Sequence, residues 1–377
     1  MRWRRSAGRR TGTRRAPDHA GVLTAADSAG WRASVVDAFV GSFRGYRVAK
    51  TPAWGQGPAL LQMLALLEPY DDAALDPSSE AGAHLVLETI KLAQADREAW
   101  FGDVPDAVTL ADLLDPAYLD TRRALITEEA SPDVRPGRVG GREPRLAELA
   151  LAGTMPGAGA DSAVGEPTVT LEGEPGTDGE VRGDTCHLDV VDRWGTVVSA
   201  TPSGGWLQSS PTIPELGFAL GTRLQMTWLE EGLPSTLTPG RRPRTTLTPT
   251  LVLDDEGRPL TAVGSPGGDQ QDQWQLLYLL RTLVGGWSPQ AAIDAPALHT
   301  TSSPGSFWPR DREPGGAVVE NRLGDEVTAG LARRGHRISR VGDWALGRLS
   351  AVGIDHARGV LWGAANPRGM QGYAVGR

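Results

Sequence analysis

The sequence predicts an α+β protein, built as one large domain with appendages, and three observations carry that expectation. Apolar residues recur mostly at helical spacing from Gly21 to about Ile126. After Thr185 the pattern changes to the apolar–polar alternation of strands. Between them, residues 131–184 are dominated by Pro, Gly, Asp and Glu, the composition of a linker. The 48 Gly and 28 Pro are about a fifth of 377 residues, against a usual share of about an eighth, which excludes a coiled coil or simple helical bundle. Hydrophobic residues at 40% and 12 Trp suffice for a core, and no run approaches the ~18 apolar residues of a membrane span.

The elements follow in order. Residues 1–20 carry seven arginines against Asp18 with no apolar stretch behind them, so a disordered basic start is expected rather than a signal peptide. A twin-arginine signal, or an arm for nucleic acid or anionic lipid, is the weaker reading. Residues 21–130 form a mostly helical region: Ala25–Ser42 and Pro58–Leu67 read as helices, with a short strand at Tyr46–Lys50 between them. A helix over His84–Trp100 places Leu85, Leu87, Ile90, Leu92 and Ala93 largely on one face. His84 is expected to cap or pack, and Asp96 and Arg97 to form structural ion pairs. Residues 131–184 are the linker and 185–377 the β-rich part. There, hairpins are expected from His187–Asp192 with Thr196–Thr201 and from Thr248–Leu253 with Pro259–Gly264. A sharp turn at Ser265–Gly268 leads into a helix over Asp269–Val284. One more helix at Asp325–Arg334 and strands at Leu349–Asp355 and Val360–Ala365 complete the chain.

Composition narrows function mainly by exclusion. The net charge is −8, and Lys50 and Lys91 are the only lysines, so no basic face for nucleic acid is expected. Lone Cys186 can form neither an internal disulfide nor a CxxC metal site. There is no GxxxxGK[ST], HExxH or GxSxG, and the six histidines are scattered. No cofactor and no metal is expected.

Two features carry chemistry. At Arg182–His187 the linker runs into the first core strand with the Thr185 hydroxyl at the boundary. A threonine hydroxyl needs an adjacent base, and a freed N-terminal amine on the same residue can serve. The other is the Gly267–Gly268 turn, whose missing side chains and following helix N-terminus suit a developing oxyanion. Each feature alone is weak, since most such threonines and turns are structural.

Taken in order, six segments resemble the gamma-glutamyltransferase family of N-terminal nucleophile hydrolases. They are GVLTAAD (Gly21–Asp27), HLVLETIKLAQADR (His84–Arg97), DTCHLDVVDRWGTVVSAT (Asp184–Thr201), RPRTTLTPT (Arg242–Thr250), GSPGG (Gly264–Gly268) and NPRGMQG near the end. The resemblance implies a four-layer αββα fold, with an incomplete N-terminal part, made as a precursor that cuts itself into a large and a small chain. By that likeness Asp184 and Thr185 form the cleavage junction and Thr185 is the nucleophile. Thr201 and Ser203 match hydroxyls near it, Gly267 and Gly268 the oxyanion-hole glycines, and Thr245 and Thr246 a serine pair that contacts substrate. The implied chemistry is acyl transfer from an amide through a Thr185 ester, resolved by water or an amine.

The chain also departs from that pattern. Gly205 stands where the family has an Asn, and Gln225 and Met226 stand near the position of an acidic pair that holds the substrate's amino group. An Arg that grips the substrate carboxylate lies upstream of the part this chain matches. A γ-glutamyl head therefore loses its usual clamp, and Arg223, Arg242 and Arg244 are candidate readers of another anion, though exposed structural arginines are the plainer expectation. A misplaced start codon, a partner chain or a fragment would each account for the missing upstream part, and the abrupt onset of family-like sequence at Gly21 favours the first. Cys186 is a weaker candidate nucleophile, and His187 is expected to be a strand residue rather than a triad base.

The expectation is an autoprocessing gamma-glutamyltransferase-like hydrolase or acyltransferase taking a small-molecule amide or γ-glutamyl-type substrate. A broader side-chain amide or β-lactam acylase, and a non-catalytic homologue that binds without cutting itself, are the alternatives. No nucleic-acid or membrane partner is expected, only the two chains left by self-cleavage. Family members are often exported, and a cytoplasmic location is the default expectation.

Overall fold

The computed structural model describes residues 11–13, 16–19, 24–151, 185–204, 212–214, 217–219, 221, 223–307, 310–368 and 372–376. Its centre is a six-stranded antiparallel sheet assembled from both halves of the chain. The strands are β1 (Phe39–Phe43), β2 (Tyr46–Lys50), β5 (Thr250–Leu253), β6 (Pro259–Gly264), β10 (Ser350–Asp355) and β11 (Val360–Ala365), in the order β11-β10-β6-β5-β2-β1. The hairpin of β3 (Leu188–Val191) and β4 (Val197–Ala200) packs across β6 and β10.

The faces of the large sheet follow from its register. Val263, Ala351 and Ala364 are cross-strand neighbours and join the main apolar core, whereas Gly264 and Ser350, one residue away, face the β3–β4 hairpin. Helices α1 (Gly57–Leu67), α2 (Glu80–Trp100), α3 (Pro116–Arg123) and α4 (Gln271–Leu279) contribute to the core on the first face. The described residues thus layer helices, sheet and hairpin in the α+β manner expected.

The long helix α2 starts at Ser79, whose hydroxyl accepts from Gly82 N at 3.0 Å, and is buried along almost its whole length. Burial on every side forces each charge to find partners. Asp96 accepts from Tyr118 Oη and Gln62 Nε2, both at 2.6 Å, from Gly137 N at 2.7 Å, and pairs with Arg122 at 3.2 Å. Both lysines are buried as well: Lys50 pairs with Asp272 at 2.9 Å, and Lys91 pairs with Glu88.

The helix expected over Ala25–Ser42 is present only as Ala25–Gly30, held by a Thr24/Asp27 capping box. Beyond it, Phe39–Phe43 turns through Arg44 and Gly45, both at positive φ, and pairs with β2. Ladder bonds and the burial of Phe43 outweigh helix propensity there. The linker composition also conceals a docked stretch. Within 131–151, Arg135 bonds Glu88 and Leu125 O, and Gly137 O accepts from Trp100. A second sheet of β7 (Leu298–Thr300), β8 (Gly316–Glu320) and β9 (Arg337–Val341) was not expected. Its central strand is buried throughout and parallel to β9, so it lacks the alternation that marks half-exposed strands.

Candidate active site

The β3–β4 hairpin carries its polar residues inward. Its register pairs Leu188 with Ala200 and Asp189 with Ser199, and Cys186 N continues the ladder to Pro202 O at 3.2 Å. Residues 185, 187 and 189 therefore share one face with 203, 201 and 199. All three cross-strand pairs are hydrogen-bonded. Thr185 Oγ1 donates to Ser203 Oγ at 2.8 Å, His187 Nδ1 lies 2.8 Å from Thr201 Oγ1, and Ser199 Oγ donates to Asp189 Oδ1 at 2.7 Å. His187 Nε2 lies 2.9 Å from Asp189 Oδ2, joining two rungs. Thr185 and Thr201 are buried, while Leu188, Val190 and Val198 on the other face are exposed.

The structure thus brings Thr185 and Ser203 together, as the sequence led one to expect, and binds Thr201 to His187. His187 ties Thr201 to Asp189 and makes no hydrogen bond to Thr185 among the described residues. The signal was available as T-x-H-x-D opposite S-x-T-x-S, but alternation usually marks the exposed face and here marks the buried one. Cys186 falls on the face opposite Thr185 and is exposed, with Sγ 3.7 Å from Pro202 O, so it is the poorer candidate nucleophile.

The polar face of the hairpin lies over the end of β6, from which the glycine turn departs. A Cβ on Gly264 would come within 2.3 Å of the His187 ring. Gly267 and Gly268 take φ values of +124° and +57°, and a Cβ on Gly267 would meet the Trp274 ring at 2.5 Å. Both requirements select glycine. The turn is anchored by Asp269, whose role no local sequence pattern marks. Its carboxylate pairs with Arg97 and accepts from Ser306 N at 2.8 Å and Ser306 Oγ at 2.6 Å. Burial works to raise the Asp269 carboxyl, but the Arg97 charge and the Ser306 donors outweigh it and hold it below the usual carboxylate range. Gln56 Nε2 donates to Gly268 O at 3.2 Å.

Thr245 and Thr246 lie on the segment that leads into β5. Thr245 N donates to Trp54 O at 3.2 Å, and its hydroxyl accepts from Leu247 N. The Thr246 hydroxyl is buried without a hydrogen-bond partner among the described residues. Gln225 lends its carbonyl to Arg310 Nη2 at 3.1 Å, and Met226 packs on Phe307. Asp184 and Gly205 lie outside the described residues. Arg242 is committed to Asp103 through its backbone and side chain. Arg244, expected to be exposed, is buried and paired at 2.8 Å with Glu98, which also pairs with Arg97. Arg310 stacks 4.2 Å over the Trp228 ring, and burial lowers it to about 10. Beside Gln225 runs a largely apolar groove of about 860 Å³, lined by Leu149, Leu224, Leu229 and Leu237 among others.

His84, Glu88 and His336 bring potential metal-binding atoms within 4.8 Å of one another. Existing partners account for that convergence. His84 Nδ1 lies 2.9 Å from His336 Nε2, His84 Nε2 lies 2.8 Å from Thr127 O, and Glu88 pairs with Lys91 and Arg135. His84 thus packs in the core, as its place on the helix suggested. Among the described residues, no helix is long and apolar enough to cross a membrane.

A family model described as Gamma-glutamyltranspeptidase matches residues 13–376. The chain belongs to the gamma-glutamyltranspeptidase family. It is 28% identical over 350 residues to the glutathione hydrolase proenzyme of Bacillus subtilis subsp. natto, covering 92% of this chain and 54% of that protein. It is also 28% identical over 348 residues to the acylase ACY 1 proenzyme of Pseudomonas sp. strain SE83, covering 92% and 53%. Among solved structures, LmbA2991HD shares 51% identity at a TM-score of 0.87, covering all of this chain and 62% of that one. The cephalosporin acylase of Bacillus halodurans shares 25% at 0.66, covering 92% and 54%. The chain spans about half the length of the curated relatives it matches. Family and fold agree with what the six quoted segments implied.

Proposed function

We propose that this gamma-glutamyltranspeptidase-family chain is an autoprocessing hydrolase or acyltransferase that cuts itself between Asp184 and Thr185 and then uses Thr185 as nucleophile. The observation that carries the reading is the placement of Thr185. Its hydroxyl is buried at the head of the inward-facing polar ladder, bonded to Ser203, over the strand that leads into the Gly267–Gly268 turn.

In self-cleavage the Thr185 oxygen attacks the Asp184 carbonyl carbon. The C–N bond breaks, the nitrogen takes the proton, and the resulting ester is hydrolysed by water to leave a carboxylate and a free α-amine. That amine takes the Thr185 hydroxyl proton as the oxygen attacks a substrate amide, then returns it to the departing amine. The N–H groups of the Gly267–Gly268 turn stabilise the tetrahedral oxyanion. Water or a second amine resolves the ester.

For substrate, the reading is an acyl group that carries no free α-amine. Gln225 and Met226 supply no carboxylate for such an amine, and the groove beside Gln225 is largely apolar. The similarity to two acylases as well as to glutathione hydrolases is in keeping with this.

Intact-mass analysis of the purified chain tests the proposal. The expected result is two chains whose junction lies between Asp184 and Thr185, and one uncut chain for Thr185→Ala. An uncut parent would refute it and favour a binding protein. For the substrate class, glutaryl p-nitroanilide should be hydrolysed faster than γ-glutamyl p-nitroanilide, which differs only by the α-amino group. The reverse preference would refute that part.

A further inference from the structure

His187 and Asp189 are buried polar side chains with no part in the chemistry described above, their side chains each only 1% exposed. We infer that this pair is a positioning device that holds the Thr201 hydroxyl as a hydrogen-bond acceptor toward the Thr185 end of the ladder. The inference rests on the reading of Thr185 as nucleophile.

The hydrogen-bond directions follow from what each group can do. Asp189 accepts from Ser199 on Oδ1, and Oδ2 lies 2.9 Å from His187 Nε2 and 3.4 Å from Ser350 Oγ. A carboxylate can only accept, so the ring proton sits on Nε2. Nδ1 then carries the lone pair and accepts a hydrogen bond from Thr201 Oγ1 at 2.8 Å. The ring is confined by Gly264, where a Cβ would lie 2.3 Å from Cε1 and 2.7 Å from each ring nitrogen. With its proton committed to His187, Thr201 presents only lone pairs to its diagonal neighbour Thr185. These lone pairs can accept from a proton-bearing group at residue 185, the hydroxyl before the cut or the free amine after it. A ladder that merely tied two strands together would need no fixed proton direction.

Two measurements separate these roles. In the full chain carrying Thr185→Ala, with 15N-labelled histidine, long-range 1H–15N spectra should show His187 as the Nε2–H tautomer. An Nδ1–H tautomer would overturn the inference, and this readout needs no variant at Asp189. With Thr185 intact, Asp189→Asn offers an amide N–H that can donate to the ring and release the Thr201 proton. Self-cleavage followed by intact mass should then slow by roughly tenfold or more, as when an orienting group holds the wrong tautomer. Thr201→Val should slow it comparably, whereas Thr201→Ser, which keeps the hydroxyl, should stay near the parent rate. A parent that cuts at the same rate as a folded Asp189→Asn chain overturns the inference while leaving the nucleophile reading intact. A parent that never cuts overturns both.

Discussion

Replacing Gly267 with Ala tests the geometry of the glycine turn most directly, because the structure predicts two separate penalties from one methyl group. The backbone there has φ +124° and ψ 16°, a region that costs an L-residue of order 1–3 kcal/mol. The new Cβ would lie 2.5 Å from Cζ3 of Trp274, a side chain only 1% exposed, and such overpacking typically costs about 1–3 kcal/mol more. The chain can keep the turn and lose roughly 2–6 kcal/mol of stability, or relieve both penalties by rotating the peptide groups that flank Gly267. Rotation would misdirect the proposed oxyanion donors and cost about a hundredfold or more in rate. Thermal melts and self-cleavage followed by intact mass, run on the same preparation, read both quantities. A Gly267→Ala chain that melts with the parent and cuts at the parent rate would refute both the conformational requirement and the assignment of the turn to oxyanion stabilisation.

Two further predictions concern stability. Burial, helped by the Lys91 charge and then by His84, lowers His336 to about 3 from 6.5, so the unfolded chain takes up the proton first. Its contribution is intact above about pH 6.5 and falls away toward pH 3, a loss of about 2 kcal/mol by pH 5. The melting temperature should drop between pH 7 and 5, and by less in His336→Gln; an equal drop in both would refute the assignment. Arg368 binds both oxygens of fully buried Glu320 and donates to Ile293 O and Ala295 O. Arg368→Ala removes one of the two arginines paired with this carboxylate, leaving Arg322 at 3.0 Å, and should cost about 1.5–3 kcal/mol in chemical denaturation.

Arg368 also shows how far the sequence was legible. Its segment, NPRGMQG, contributed to recognising the family, yet nothing in the letters distinguishes a substrate-binding Arg from one that ties β8 to the end of helix α5 (Pro289–Asp294). Elements with a local cause were readable: β2, both main hairpins and the α4 turn lie within about two residues of expectation, because periodicity and turn chemistry are set by neighbours in the chain. Elements defined by distant partners were not. Strand β1 depends on pairing with β2, the buried parallel pair β8–β9 lacks alternation, and Asp269 matters through Arg97 and Ser306.

The hairpin that bears Thr185 joins these two cases. Its alternation predicts the two strands observed, but alternation says only that the faces differ and not which face is buried. A preference for apolar burial would turn Leu188, Val190 and Val198 inward. The structure does the opposite, because the covering strand ends at Gly264 and Ser350, a small residue and a hydroxyl that admit the His187 ring and the Asp189 carboxylate where a large aliphatic side chain would leave both unpaired. Each inward polar group then finds its partner across the hairpin, and the apolar face is left outward. Packing polar residues against the sheet costs hydrophobic stabilisation, and what it places there is a hydroxyl at residue 185 with its surroundings already arranged. The inversion of the hairpin is therefore the strongest structural reason to assign the chemistry to this face.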